Sequence, residues 1–222
     1  MITPPVSWSS RRSASAVLGV DAGSRTAAEA EHLLLGLVAD LGAGPGAVLC
    51  THAVRQGTPH YAGTLTLPAP VVLPDVPGAG LALLGAGPDP VGADEPAVGT
   101  VPGHRPVAAG VLTAGDPALA RTALSAATDR AAGADGRAVR FPGVELLTGT
   151  VPVQDVLDRT AVEEVRVLAG GTLPPDALLH TRDFCRPIYQ DGRLVLLVLP
   201  AGPHAVAPFE VPNPTPCCAV HA

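Results

Sequence analysis

The sequence predicts an α/β protein: a mostly parallel, three-layer sheet body followed by a small antiparallel β region at the C-terminus. Three observations predict it. The stretch "AVLGVDAGSRTAAEAEHLLLGLVADLGAGPGAVLCTH" joins two short apolar runs through one amphipathic helical repeat, which is the pattern of a βαβ unit. A second stretch, "PVAAGVLTAGDPALARTALSAATDRAAGADGRAVRF", repeats that plan around an Ala-rich helix. Near the end, "FCRPIYQDGRLVLLVLPA" places Asp191–Gly192 between two strand-like runs, and a tight hairpin turn favours that dipeptide.

Each element has a local reason. Residues 1–14 read as a disordered leader, and residues 15–161 as the α/β body. Within the body "AVLGV" is a fully apolar strand, and Thr26 followed by Glu29 is a capping box that starts a helix. Ala30, Leu33, Leu34, Leu37, Val38 and Leu41 then recur at helical spacing, a stripe suited to a sheet surface. Gly42, Gly44 and Pro45 end the helix before the strand "AVLC". A crossover of this kind is expected to be right-handed and to join parallel strands. "TLTL" alternates as a half-buried strand. Residues 68–106 are cut by Pro and Gly so often that a long loop or flap is expected. Asp116–Pro117 combines a capping side chain with proline at the first helical position. "RAVRF" is a strand and "VQDVLDRTAVEE" a short helix. Residues 162–211 read as β-rich and residues 212–222 as a flexible Cys/His tail.

Composition narrows the function classes. Hydrophobic residues make up 47% of the 222 residues but aromatics only 3%, so the core is built from Ala, Val and Leu. The net charge of −6 gives no general attraction to nucleic acid or anionic lipid. All 14 basic residues are Arg. Without Lys there is no Schiff-base, P-loop or kinase-type amine, and anion binding falls to Arg, helix N-termini and backbone amides. No run approaches the roughly 20 apolar residues of a membrane span, and "MITPPVSWSSRRSASA" lacks the apolar core of a secretory signal. Four Cys, two of them adjacent, do not make a secreted disulfide framework. A cytoplasmic protein with reduced thiols is expected.

Three constellations carry chemistry. The turn "GVDAGSRTAAE" offers Gly19, Gly23, Ser24, Arg25 and Thr26 beside a helix N-terminus, a place where an anion can sit or where the residues only cap the helix. Thr51, His52 and Arg55 follow the second strand, where open α/β sheets hold ligands; together the two groups predict a pocket. In "HTRDFCRP" an extended strand would put His180, Arg182, Phe184 and Arg186 on one face. Arg182 and Arg186 then suit a carboxylate-rich ligand, or form a solvated face. The tail "CCAVH" offers Cys217, Cys218 and His221 to a soft metal such as Zn or Cu(I), or to thiol chemistry. No catalytic residue can be named, and the sequence leaves the oligomeric state open.

The opening stretch resembles the cobalamin-biosynthesis CobE / CbiG C-terminal domain family over about residues 16–55. Gly19, Gly23, Thr26, Ala28, Glu29 and Thr51 stand at places comparable to that family's Gly-rich strand end, Ser/Thr-Ala-Glu helix start and Ala-Thr strand end. After Thr51, where the family carries a Lys and then a Glu, this chain reads "HAVRQGTPHY". The resemblance implies an accessory or enzymatic role in corrinoid metabolism, with an anionic tetrapyrrole-like small molecule such as a corrinoid as ligand or cofactor. Two alternatives stand beside it. One is a metal- or thiol-handling protein acting through the tail. The other is a non-catalytic binding module with the Pro/Gly-rich stretch as its partner-facing flap.

Overall fold

The structure, a computed structural model, describes residues 15–68, 73–85, 110–168 and 170–212. The expected leader, most of the Pro/Gly-rich stretch and the Cys217–Cys218–His221 tail lie outside the described residues. Those described residues hold three α-helices and twelve strands, in two compact units. Of the described residues, those from 15 to Pro142 together with Tyr189–Gly192 form the first, and Gly143–Ile188 together with those from Arg193 to 212 form the second.

The first unit contains β1 (Ser15–Ser24), α1 (Ala27–Asp40), β2 (Val48–Val54), β3 (His60–Pro68), β4 (Gly80–Leu84), β5 (Val111–Gly115), α2 (Pro117–Ala132) and β6 (Arg137–Arg140). Its strands lie in the order β5-β4-β1-β3-β2-β6, and every neighbouring pair is antiparallel. This corrects the expectation of a mostly parallel body. β1 and β2 do run in the same direction, but β3 lies between them and opposes both. The short connection from Val54 to His60 folds β3 straight back along β2. The hairpin partner therefore fills the space that a simple βαβ crossover would leave to β1. The expected loop is corrected in part as well, because "GLALL" is strand β4, paired with β1 from Val17–Leu84 to Asp21–Gly80.

Each face of this sheet carries one helix, by opposite means. On one face Leu18, Val20, Leu49, Leu65, Leu81 and Leu83 meet Leu34, Leu37 and Val38 of α1 in the apolar core. The helix begins with the expected capping box, and its stripe is buried as its period requires, Leu33 and Leu41 packing at the margin. On the other face α2 presents the buried Ala120, Ala123, Ala126 and Ala127. It comes down to backbone distance because the strands beneath it offer glycine: a Cβ on Gly80 would run into the backbone of Leu119 and Ala120, and one on Gly19 into the Ala123 carbonyl. Asp116 caps the helix through the Ala118 and Leu119 amides at 2.8 and 3.0 Å, and Gly133 closes it at φ 66°.

The second unit holds β7 (Thr150–Pro152), α3 (Val153–Arg159), β8 (Glu164–Val167), β9 (Leu178–His180), β11 (Arg193–Gly202) and β12 (Ala205–Pro208), while β10 (Ile188–Gln190) leads into β11. β11–β12 and β7–β9 are antiparallel. β8–β11 and β9–β12 are parallel, so the parallel pairing of this chain occurs in the region expected to be antiparallel. Asp191 and Gly192, at φ 52° and 79°, make the left-handed turn that their sequence predicts.

Candidate functional site

The residues expected to form an anion pocket are not gathered into one. β1 continues to Ser24, so Gly19 lies in mid-strand beneath α2, where a Cβ would also stand 3.2 Å from the Ala127 Cβ. Gly23, at φ 66°, does turn the chain. However, the Arg25, Thr26 and Glu29 amides beyond it are taken internally. The Glu29 carboxylate accepts the Arg25 N–H at 2.7 Å and the Thr26 N–H at 3.3 Å, and the Thr26 hydroxyl accepts the Glu29 N–H at 3.2 Å. A helix start already holding its own carboxylate has little left for an external anion. Thr51 and His52 alternate across β2 and point to opposite faces. Thr51, on the α1 side, lies 3.4 Å from Arg137, whose guanidinium is 2.6 Å from Glu31. Arg55 is exposed and lies near Asp135, whose carboxylate it helps to hold charged.

What the sequence did not reveal is a polar layer beneath α2. Asp21 is fully buried, and its carboxylate accepts the Gly23 N–H at 2.8 Å, the Thr122 hydroxyl of α2 and His60 Nε2 at 2.8 Å. His60 Nδ1 faces the Thr58 carbonyl at 2.8 Å. Both ring nitrogens thus face oxygen, an arrangement that favours the imidazolium. Burial by itself lowers the His60 pKa, but the Thr58 carbonyl and the Asp21 carboxylate outweigh it and raise the value.

A second chain runs Asp135–His52–Thr64. His52 Nδ1 lies 3.1 Å from Asp135 and Nε2 2.9 Å from the Thr64 hydroxyl. The carboxylate fixes a donor at Nδ1, and the hydrogen bond from His52 holds the Asp135 pKa below the usual carboxylate range. The order acid–imidazole–hydroxyl is that of a nucleophilic triad, yet Thr64 has no exposed surface. Gly136 at φ 133° seals the spot, a Cβ there standing 3.1 Å from the His52 ring and 3.2 Å from Cys50. A hydroxyl that no substrate can reach ties strands together instead of attacking a bond. The sequence singled out His52, though as a pocket residue, and Asp21 was a hint as a carboxylate set inside an apolar strand; Thr64, Thr122 and Asp135 gave none.

In the second unit the expected alternation of residues 180–187 is also corrected. Arg182 and Asp183 are both left-handed, at φ 54° and 51°, and the Phe184 N–H closes the turn on the Thr181 carbonyl at 3.1 Å. This segment is a turn, so His180, Arg182, Phe184 and Arg186 do not share a strand face. Arg182 is exposed, and Arg186 stacks 4.2 Å over the Phe184 ring.

The same unit carries an open apolar sheet face. Register sets Leu199 opposite Ala207 and Ala205 beside Leu178. The Leu168 N–H to Val198 and Phe209 N–H to Leu197 bonds extend the ladders by one residue each. Leu168, Leu178, Leu197, Leu199 and Phe209 therefore lie on one side of the sheet together with the buried Val195 and Ala207, so that this side is open in part, and Leu196, Val198, Val206 and Leu179 are buried on the other. Of the first group Leu199 is 39% exposed, Leu178 40%, Leu168 42% and Phe209 56%. Arg166 and His180 fall on the same side, at alternate positions from Leu168 and Leu178.

Among the described residues no group of three or more His, Cys, Asp or Glu is placed to hold a metal, and no helix is long and apolar enough to cross a membrane. Cys50 and Cys185 are buried free thiols whose pKa values burial pushes up to about 11, the opposite of an activated thiolate. An indentation lined by Leu146, Leu147, Val151, Asp155, Arg159 and Thr160 measures about 30 Å³, room for one water. No family model, curated protein or solved structure matches this chain.

Proposed function

We propose that this protein is a binding module of corrinoid metabolism that takes an acid-bearing, tetrapyrrole-like molecule on the open sheet face of its second unit. The observation that carries the reading is the exposure of Leu168, Leu178, Leu199 and Phe209 on a single sheet side. Contiguous exposed apolar surface marks an interaction site in a folded protein. A tetrapyrrole is flat and apolar across its ring and carboxylated at its edge. It would stack on Leu199 and Phe209 with its carboxylated edge toward His180, Arg166 beside it being already paired with Glu164 at 2.7 Å. The ligand class rests on the resemblance of residues 16–55. The location rests on the face alone, and it replaces the pocket expected at Gly19–Thr26 and Thr51–Arg55.

The test is a visible-absorbance titration of the full chain with a cobalt corrinoid whose side-chain carboxylates are free. Saturable binding is expected, weakened about tenfold or more by Leu199→Glu, which costs about 1.4 kcal/mol of binding free energy. Arg25→Ala should leave it unchanged. No absorbance change with the unaltered chain would reject the reading, and a loss with Arg25→Ala alone would return the site to the N-terminal turn.

A further inference from the structure

Among the described residues the first unit ends at β5, an edge strand with no strand beyond it. It pairs with β4 from Gly80–Gly115 to Leu84–Val111, and it stands last in the strand order. All five of its residues are exposed, with Val111 at 55% and Leu112 at 42%. Edge strands are ordinarily blunted by charge, proline or a bulge. "VLTAG" contains no charge and no proline, and its register with β4 runs without a shift.

The hydrogen-bond phase of this strand can be read from its ends. The Gly85 N–H donates to the Gly110 carbonyl, and the Asp116 N–H donates to the Ala79 carbonyl. In an antiparallel ladder, bonded residues alternate with residues whose groups point away. Gly110, Leu112, Ala114 and Asp116 therefore bond toward β4, and the N–H and C=O of Val111 and Thr113 point outward.

We propose that β5 pairs with β5 of a second copy of this chain, antiparallel, about a two-fold axis at Leu112. That axis sets Val111 against the partner's Thr113 and Thr113 against the partner's Val111. Both are outward-facing residues, so each pair exchanges N–H and C=O bonds in both directions. Leu112 then meets the partner's Leu112, covering the side chain that a single copy leaves exposed. A two-fold contact must be self-complementary. A chain of net charge −6 repels its copy wherever its acids face each other, and this uncharged edge is a place where two copies meet without that repulsion.

Sedimentation equilibrium of the full chain over a dilution series tests the proposal. The unaltered chain is expected at twice the monomer mass when concentrated. Leu112→Lys, which sets like charges against each other at the axis, should reduce it to monomer. Thr113→Pro removes one outward N–H and no bond to β4, and should do the same; circular dichroism establishes that either variant is folded. A monomeric unaltered chain at every concentration, or a dimer that survives both substitutions in folded protein, would overturn it.

Discussion

The two units of this molecule differ in how the faces of their strands are covered. The first has a helix on each side: α1 seated on leucines, α2 seated on glycines at backbone distance. The second buries one side, and on the other it buries Val195 and Ala207 but leaves Leu168, Leu178, Leu199 and Phe209 exposed. Polar side chains follow the opposite trend. The histidine, carboxylate and hydroxyl groups that resemble catalytic parts lie in the first unit, where Asp21, His52 and Thr64 are buried and Asp135 alone is exposed, while the open side of the second is mostly leucine. Chemically suggestive residues thus need not mark the accessible surface. In the first unit they satisfy one another, because a buried polar group without a partner costs about 1–3 kcal/mol.

The largest effect that sharpens this contrast is cavity formation. Leu65→Ala, beneath α1 and fully buried, should cost about 3–4 kcal/mol in chemical denaturation, whereas Leu199→Ala should stay within about 1 kcal/mol. Equal losses would mean that the second face is covered after all. Next comes the polar tie. Asp21→Ala leaves the His60 imidazolium and the Thr122 hydroxyl without their acceptor and should cost about 3 kcal/mol; a neutral outcome would show that α2 does not depend on it.

A smaller effect is the pH dependence of the same tie. The folded His60 pKa is raised above 6.5. Its contribution is therefore fully present below 6.5 and lost as pH rises through the folded value. Asp135 works in reverse, because its folded pKa is lowered from 3.8. Its contribution is present above that value and lost as pH falls through the folded one. Thermal unfolding scans of the unaltered chain and of Asp21→Asn check the first window: the decline above pH 6.5 should disappear in the variant.

Much of the first unit was legible. The capping box at Thr26 and Glu29, the stripe from Ala30 to Leu41, the Asp116–Pro117 start and the Asp191–Gly192 turn are local signals, and local physics sets them. Strand neighbours were not legible in the same way. A crossover predicts that β1 and β2 run alike but is silent on whether a later strand enters between them. The few residues from Arg55 to Pro59, between two alternating runs, were the available sign of a hairpin. Gly19 was misread for a related reason. A glycine that turns a chain and a glycine that makes room for a helix look identical until the helix is in place. Arg182 gave no warning, since arginine seldom adopts the left-handed backbone, whereas Asp183 is of a type that does so more readily.

The decisive measurement is the unfolding free energy of Gly19→Ala. On an uncovered strand this substitution would stabilise slightly, because alanine orders at less entropic cost than glycine. With α2 seated over Gly19, a loss of about 2 kcal/mol or more is predicted, from overpacking against the Ala123 carbonyl. An unchanged or increased stability would contradict the closed first unit and reopen the pocket at Gly19–Thr26.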